Sequence, residues 1–161
     1  MSWQRVKIEI PKGYKPRDRE AIADEIIDFI VERTQSGKDK NNRSFPGYSK
    51  AYKNNLDFKI AGKTSKVDLT LSGDMLSSLE VISHKNGEIT VGFDRSDSEN
   101  NDKATGHITG IYGNSSRVKK RDFLGIAKID LRKKILSNYP LSDRERLSER
   151  VEEQLQAGDD E

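Results

Sequence analysis

Apolar residues along this chain come in short bursts whose period shifts from two to nearly four and back. In QRVKIEI, residues 4–10, Val6, Ile8 and Ile10 alternate with polar neighbours, the mark of a short half-buried strand. Pro11, Gly13 and Pro16 then break the pattern. Pro16 suits a first helical position, where its missing N–H has no intrahelical partner to lose, and RDREAIADEIIDFIVERTQSG follows it. Ala21, Ile22, Ile26, Phe29, Ile30 and Arg33 recur at helical spacing. The sequence therefore predicts an amphipathic helix, roughly 30 Å long at 1.5 Å per residue, stopped by Gly37.

Residues 38–66 keep no period and are rich in Lys, Asn, Gly and Ser, which reads as a long loop. Ser49 is placed to cap a short turn carrying Tyr52. In KVDLTLSG, Val67, Leu69 and Leu71 alternate, a strand ending at Gly73, and DMLSSL gives one or two helical turns. EVISH and GEITVGF flank Asn86-Gly87, the strongest short-range signal for a β-hairpin. DRSDSENNDK, after Phe93, reads as a polar, mobile loop, and KATGHITG as a possible short helix. AKIDLRKKIL is helical, with Ile129, Leu131, Ile135 and Leu136 as its apolar positions. Beyond Pro140, Ser142 and Glu145 form a capping box, and Leu147, Val151 and Leu155 make a further stripe. The expectation is an α+β fold: a long N-terminal helix packed on a small antiparallel sheet, with C-terminal helices. One domain over 1–140 carries a basic loop at 38–66, followed by an acidic helix and tail over 141–161.

Composition thins this core. Of 161 residues only 32% are hydrophobic while 35% are charged, and mean hydropathy is −0.86. Such a chain finds part of its stability in partners or leaves long segments exposed. It has no cysteine, which removes disulfides, thiolate metal sites and thiol nucleophiles. Neither a signal peptide nor a membrane span is expected from its apolar runs. Net charge is +2, yet residues 38–66 and 117–134 each hold eight Lys or Arg against two Asp. Residues 80–102 hold two basic against six acidic groups, and 142–161 three against eight. Alternating blocks of opposite sign suit a protein that meets copies of itself or charged neighbours, and equally suit solvated loops with an acidic tail.

The signatures of chemistry are absent. The chain has no phosphate-binding glycine loop, no dinucleotide fingerprint and no H-E-x-x-H. His84 and His107 are its two imidazoles, and neither has ligand-spaced partners or an acidic neighbour placed to orient it. Asp94 and Asp97 lie in a hydrophilic stretch where water keeps carboxylates ordinary. No catalytic activity, cofactor or metal is expected. Nucleic acid is a better match: Lys38, Lys40, Arg43, Lys50, Lys53, Lys59 and Lys63 interleave with Phe45, Tyr48, Tyr52 and Phe58. Cations neutralise phosphates and aromatic faces stack on bases. A basic loop that docks on a neighbouring subunit fits the same residues.

Several features follow one another in a fixed order. YSKAY (48–52) precedes LTLSGDMLSSL (69–79), ITVGF (89–93), Ala104-x-x-His107-x-x-Gly110, and KKRDFLGI (119–126) ahead of a helix. This succession, over about residues 20–136, resembles the virion-morphogenesis or tail-completion family of long-tailed bacteriophages. Asp122 stands where that family usually has proline, and the acidic helix 142–157 lies beyond the match. The resemblance implies a structural virion protein, a ring-forming adaptor at the neck or tail top, hexameric in the family's manner. The resemblance also implies a place in the virion, with host cytoplasm as the site during assembly. Its implied neighbours are head-completion or connector proteins and tail-terminator or tail-tube proteins, with genomic DNA passing through. Tyr48, Tyr52, Leu71, Gly73, Leu76, Leu79, Ala104, His107, Gly110, Phe123, Leu124 and Gly125 are the structural motif residues on this reading. Lys38, Lys40, Arg43, Lys50, Lys53 and Arg121 are the candidates to face a subunit or DNA. Met75, Leu76 and Leu79 are expected to pack the turn on the hairpin. Arg121 is expected as a solvated charge or, by preference, in an interfacial ion pair; His107 is expected in a hydrogen bond that fixes a loop or short helix against the sheet, ahead of an interface contact or a catalytic role.

Overall fold

In the computed structural model, which describes residues 3–45, 75–112, 116–117 and 120–141, the alternating N-terminal residues form β1 (Arg5–Glu9). Gly37 and Pro16 bound the first helix as their chemistry demands, and α1 runs Pro16–Gln35. A single 3₁₀ turn (Leu76–Ser78) leads into β2 (Glu80–Lys85), which hairpins through Asn86-Gly87 into β3 (Glu88–Gly92). The three strands form an antiparallel sheet ordered β1-β3-β2, so the most apolar strand takes the centre. Val6 pairs with Val91 and Ile8 with Ile89, which gathers the apolar residues of β1 and β3 on one face. Between Val81 and Ser83 the ladder of β2 slips by one residue, a bulge on the edge strand.

Helix α1 covers that face. Ile22, Ala23, Ile26 and Ile30 are fully buried, as are Ile89, Val91 and Phe93. Each such isoleucine contributes about 1.5–3 kcal/mol through burial. The 3₁₀ turn closes one end with Met75, Leu76 and Leu79, all buried. Arg5, Lys7 and Glu9 point to solvent from the other face of β1. This is the α+β arrangement read from the sequence. Among the described residues no helix is long and apolar enough to cross a membrane.

Two segments depart from the reading. From Ser98 onward the polar stretch after Phe93 is the start of α2 (Ser98–Thr109), not a mobile loop, and the short helix expected over KATGHITG continues it. Asp97 caps it, its carboxylate accepting from Asn100 N at 3.2 Å. Asn101 is fully buried: its Nδ2 donates to the carbonyls of Asp94 and Asp97 at 2.8 Å, and its Oδ1 accepts from Gln4 N at 2.8 Å. Polar side chains here replace apolar ones in docking a helix to the sheet edge, so hydropathy alone conceals it. After α2, a short antiparallel ladder pairs β4 (Ile111–Tyr112) with β5 (Ser116–Arg117).

The second departure is in the C-terminal run. It is helical in three forms: α3 (Lys128–Asp130), a π-helical turn (Leu131–Ile135) and a 3₁₀ turn (Leu136–Asn138). Leu131 and Ile135 are buried against the body of the fold, whereas Ile129 is 50% exposed and not part of the packed face. Ser137 Oγ and Asn138 Nδ2 donate back to the carbonyls of Lys133 and Lys134, ending the run before Pro140. Tyr14 Oη donates to Tyr139 O at 2.7 Å and ties the far end of the run to the start of α1. The strand expected over 67–73, the turn carrying Tyr52 and the acidic helix beyond Ser142 lie outside the described residues.

Candidate functional site

Arg33 sits on the buried stripe of α1, where an apolar residue would be ordinary. Its guanidinium donates to Gly125 O at 2.5 Å and to Phe123 O. One planar fork thus holds two of the three carbonyls of the FLG segment. Burial pushes this arginine down to about 10, against the opposing pull of Asp39, Asp130 and Asp122, and it stays charged at neutral pH. Phe123 is fully buried beside it, with Leu124 nearly so.

The same segment meets the end of α2. Arg121 N donates to His107 O at 2.6 Å. Ala104 is fully buried one turn earlier, and Gly110 ends the helix at φ 75°, a left-handed cap whose N–H returns to Gly106 O at 2.9 Å. Ala104, His107 and Gly110 are therefore joined to Arg121, Phe123, Leu124 and Gly125 in one junction. The hydrogen bond at position 107 that holds the incoming segment is made by the main-chain carbonyl. Burial, and secondarily the Arg121 cation, push the His107 imidazole down from 6.5 to about 4. It is neutral at physiological pH. Arg121 itself is 9% exposed, inside the junction and not a solvated charge.

The first residues of the basic loop belong to this junction too. Asp39 Oδ1 accepts from Asn41 N and Arg43 N, both at 2.9 Å, and Lys38 bridges Ser44, so 38–44 is a tight turn. Lys40 pairs with Asp122 at 2.9 Å, and its N–H donates to Asp122 O at 3.0 Å. The Lys40 side chain crosses Gly125 so closely that a Cβ there would lie 3.1 Å from Lys40 Cδ. Asn42 Nδ2 reaches Asp130 Oδ2 at 2.6 Å. Asp122 is thereby tied down by a lysine from the loop. Phe45 is buried in the core and presents no stacking face. Of the proposed phosphate contacts, Lys38 and Arg43 are exposed, while Lys40 is engaged within the chain. Lys50, Lys53, Tyr48, Tyr52, Leu71 and Gly73 lie outside the described residues.

A second feature lies on the other flank of α1. Glu20, Asp24, Ile27 and Asp28 face Leu79–His84 across an open groove of about 710 Å³. Among the described residues no cluster of three His, Cys, Asp or Glu is arranged to hold a metal ion. Of the two polar residues that organise the fold, Arg33 stood out in the helical stripe of the sequence, whereas Asn101 lay in the stretch read as a mobile loop. Arg33 occurs at a core position of the helical stripe, and Asn101 four residues after the capping Asp97. Searches against protein families, curated proteins and solved structures find no match to this chain.

Proposed function

We propose that this chain is a structural protein of a tailed-bacteriophage virion, a neck or tail-completion adaptor that works as a ring of identical subunits where head meets tail. One observation carries the reading. The two motifs at the centre of the family resemblance, Ala104-x-x-His107-x-x-Gly110 and Arg121-x-Phe-Leu-Gly125, lie apart in sequence but are bonded directly through Arg121 N and His107 O. Their polar groups are largely engaged in holding one segment against another. That is what a shape-determining junction requires, and it leaves the charged outer faces to meet other subunits. Acidic and basic blocks segregated along the sequence would supply the complementarity that unlike faces of a ring need.

Electron microscopy of a phage lysate lacking only this protein tests the reading. Filled heads beside unjoined or misfinished tails are the expected result, with infectivity restored by the protein supplied in trans. Normal infectious virions would overturn it, and the exposed cations Lys38 and Arg43 would then be tested for salt-dependent binding of nucleic acid by the monomer.

A further inference from the structure

The flanks of α1 carry opposite chemistry. On the β2 side, Glu20, Asp24 and Asp28 succeed one another every four residues, a single exposed stripe about 12 Å long by helix rise. Glu80 adds a fourth carboxylate across the groove, and half-buried Ile27, Val81 and Ile82 lie between the acids. Like charges at this spacing repel one another, so the stripe favours any surface that brings cations to it. Among the described residues β2 is an edge strand of the sheet.

The other flank of α1 is occupied by the C-terminal run. Lys134 Nζ stands 5.5 Å from the Phe29 ring, and Glu25 bonds the Tyr139 hydroxyl, raising its pKa. With Leu131 and Ile135 turned inward, the run presents Lys128, Ile129, Arg132 and Lys133 outward, all exposed. Ile129 is the large hydrophobic residue most open to solvent among those described, and Lys128, Arg132 and Lys133 lie within four residues of it along the run. An apolar side chain flanked by positive charge is the complement of an apolar floor rimmed by negative charge.

We infer that the α1–β2 groove receives the Lys128–Lys133 face of a second copy of this chain, Ile129 entering between Ile27 and Ile82 while Lys128, Arg132 and Lys133 meet Glu20, Asp24, Asp28 and Glu80. The inference rests on the ring reading above and names its contact. Both halves belong to one chain and lie on different flanks of α1, so the contact joins unlike faces. Two copies cannot exhaust it, and repetition leads to a ring or an open chain.

Cysteine cross-linking tests this cleanly, because the full chain has no cysteine of its own. The doubly substituted chain Ile82→Cys/Ile129→Cys, oxidised at low ionic strength, is expected to give a ladder of covalent oligomers on non-reducing gels. A mixture of the two singly substituted chains should stop at the heterodimer. Homodimers of either single variant in preference to that heterodimer would mean like-to-like pairing and overturn the inference. No cross-link in any of them would overturn it as well. Charge reversal gives the second arm: Asp24→Lys/Asp28→Lys and Arg132→Glu/Lys133→Glu alter only exposed residues, so folding survives. Sedimentation of each should show monomer, and the chain carrying all four changes should associate again; failure of that restoration counts against the contact. Particle assembly separates the two levels. Loss of the ladder in a protein still needed to complete virions removes this contact alone, whereas a ladder in a protein dispensable for virions removes the adaptor reading.

Discussion

At the scale of single residues, two side chains that titrate or carry charge inside the fold set its sensitivities. Arg33 supplies the donors for two main-chain carbonyls and stands among Asp39, Asp122 and Asp130. Arg33→Met leaves those groups without their partner in a buried place, and urea denaturation should show a loss of about 3–5 kcal/mol. Arg33→Lys should recover little of it, since an ammonium offers no fork to span Gly125 O and Phe123 O. His107 acts through pH. Its folded-state value is depressed from 6.5 to about 4, so between these values the unfolded chain binds the proton more readily. Stability attributable to this residue is therefore complete above about pH 6.5 and falls as pH drops toward 4, by at most roughly 3 kcal/mol. His107→Gln should flatten that part of the stability profile while the acid loss due to carboxylates remains. An unchanged slope between pH 6.5 and 4 would show that His107 is not its source.

At the scale of elements, α2 and the β1–β3 pair show how little apolar surface is needed when polar groups are well matched. Asn101 satisfies Gln4 N and two carbonyls at once, and Gln4 Nε2 adds a bond to Thr105 Oγ1 at 2.8 Å. Asn101→Ala strands these partners and should cost at least about 2 kcal/mol, with protection from hydrogen exchange lost first in α2. Gly92 is a sharper case. It pairs with Arg5, and a Cβ added there would lie 2.5 Å from Gln4 O and 2.7 Å from Arg5 Cα. Main chain cannot yield as a flexible side chain does, so Gly92→Ala should push β1 off β3 at a cost of about 1–3 kcal/mol, read as a lowered Tm. These two positions also mark the limit of legibility. β1, α1 and the β2–β3 hairpin were readable because their apolar residues repeat at two or near four and their ends carry proline, glycine and Asn-Gly. Of α2 only the second half, within KATGHITG, was readable as a short helix; its start was not, because its docking rests on an asparagine that hydropathy scores as solvent-facing. Ile129 was misread for the converse reason: an isoleucine at helical spacing looks like core until the π-helical turn fixes which face Leu131 and Ile135 present.

At the scale of the whole molecule, the links between elements are long in sequence and polar in kind. Arg33 reaches from α1 to Phe123 and Gly125, Arg121 joins that segment to α2, Asn101 joins α2 to β1, and Tyr14 joins the start of α1 to Tyr139. A site composed of such links is poorly legible in a sequence, since each motif looks unremarkable until its partner is brought alongside. A chain of couplings of this kind, laid over one apolar cluster that includes Ile26, Ile30, Ile89 and Phe123, should make α1 and β3 unfold as a unit. Native-state hydrogen exchange checks this directly. The slowest amides of α1 around Ile26–Ile30 and those of β3 around Ile89–Val91 should exchange with the same free energy and the same denaturant dependence. Arg33→Met, at a residue of α1 whose guanidinium bonds go to Phe123 and Gly125, should lower both sets by the same amount. If β3 kept its protection while α1 lost its own, the Arg33 clamp would stabilise only the helix and the C-terminal segment, and the junction would be a separate unit resting on the sheet. Equal loss in both would mean that the contact between the two motif segments is felt across the whole body, as a subunit that must hold its shape within a ring requires.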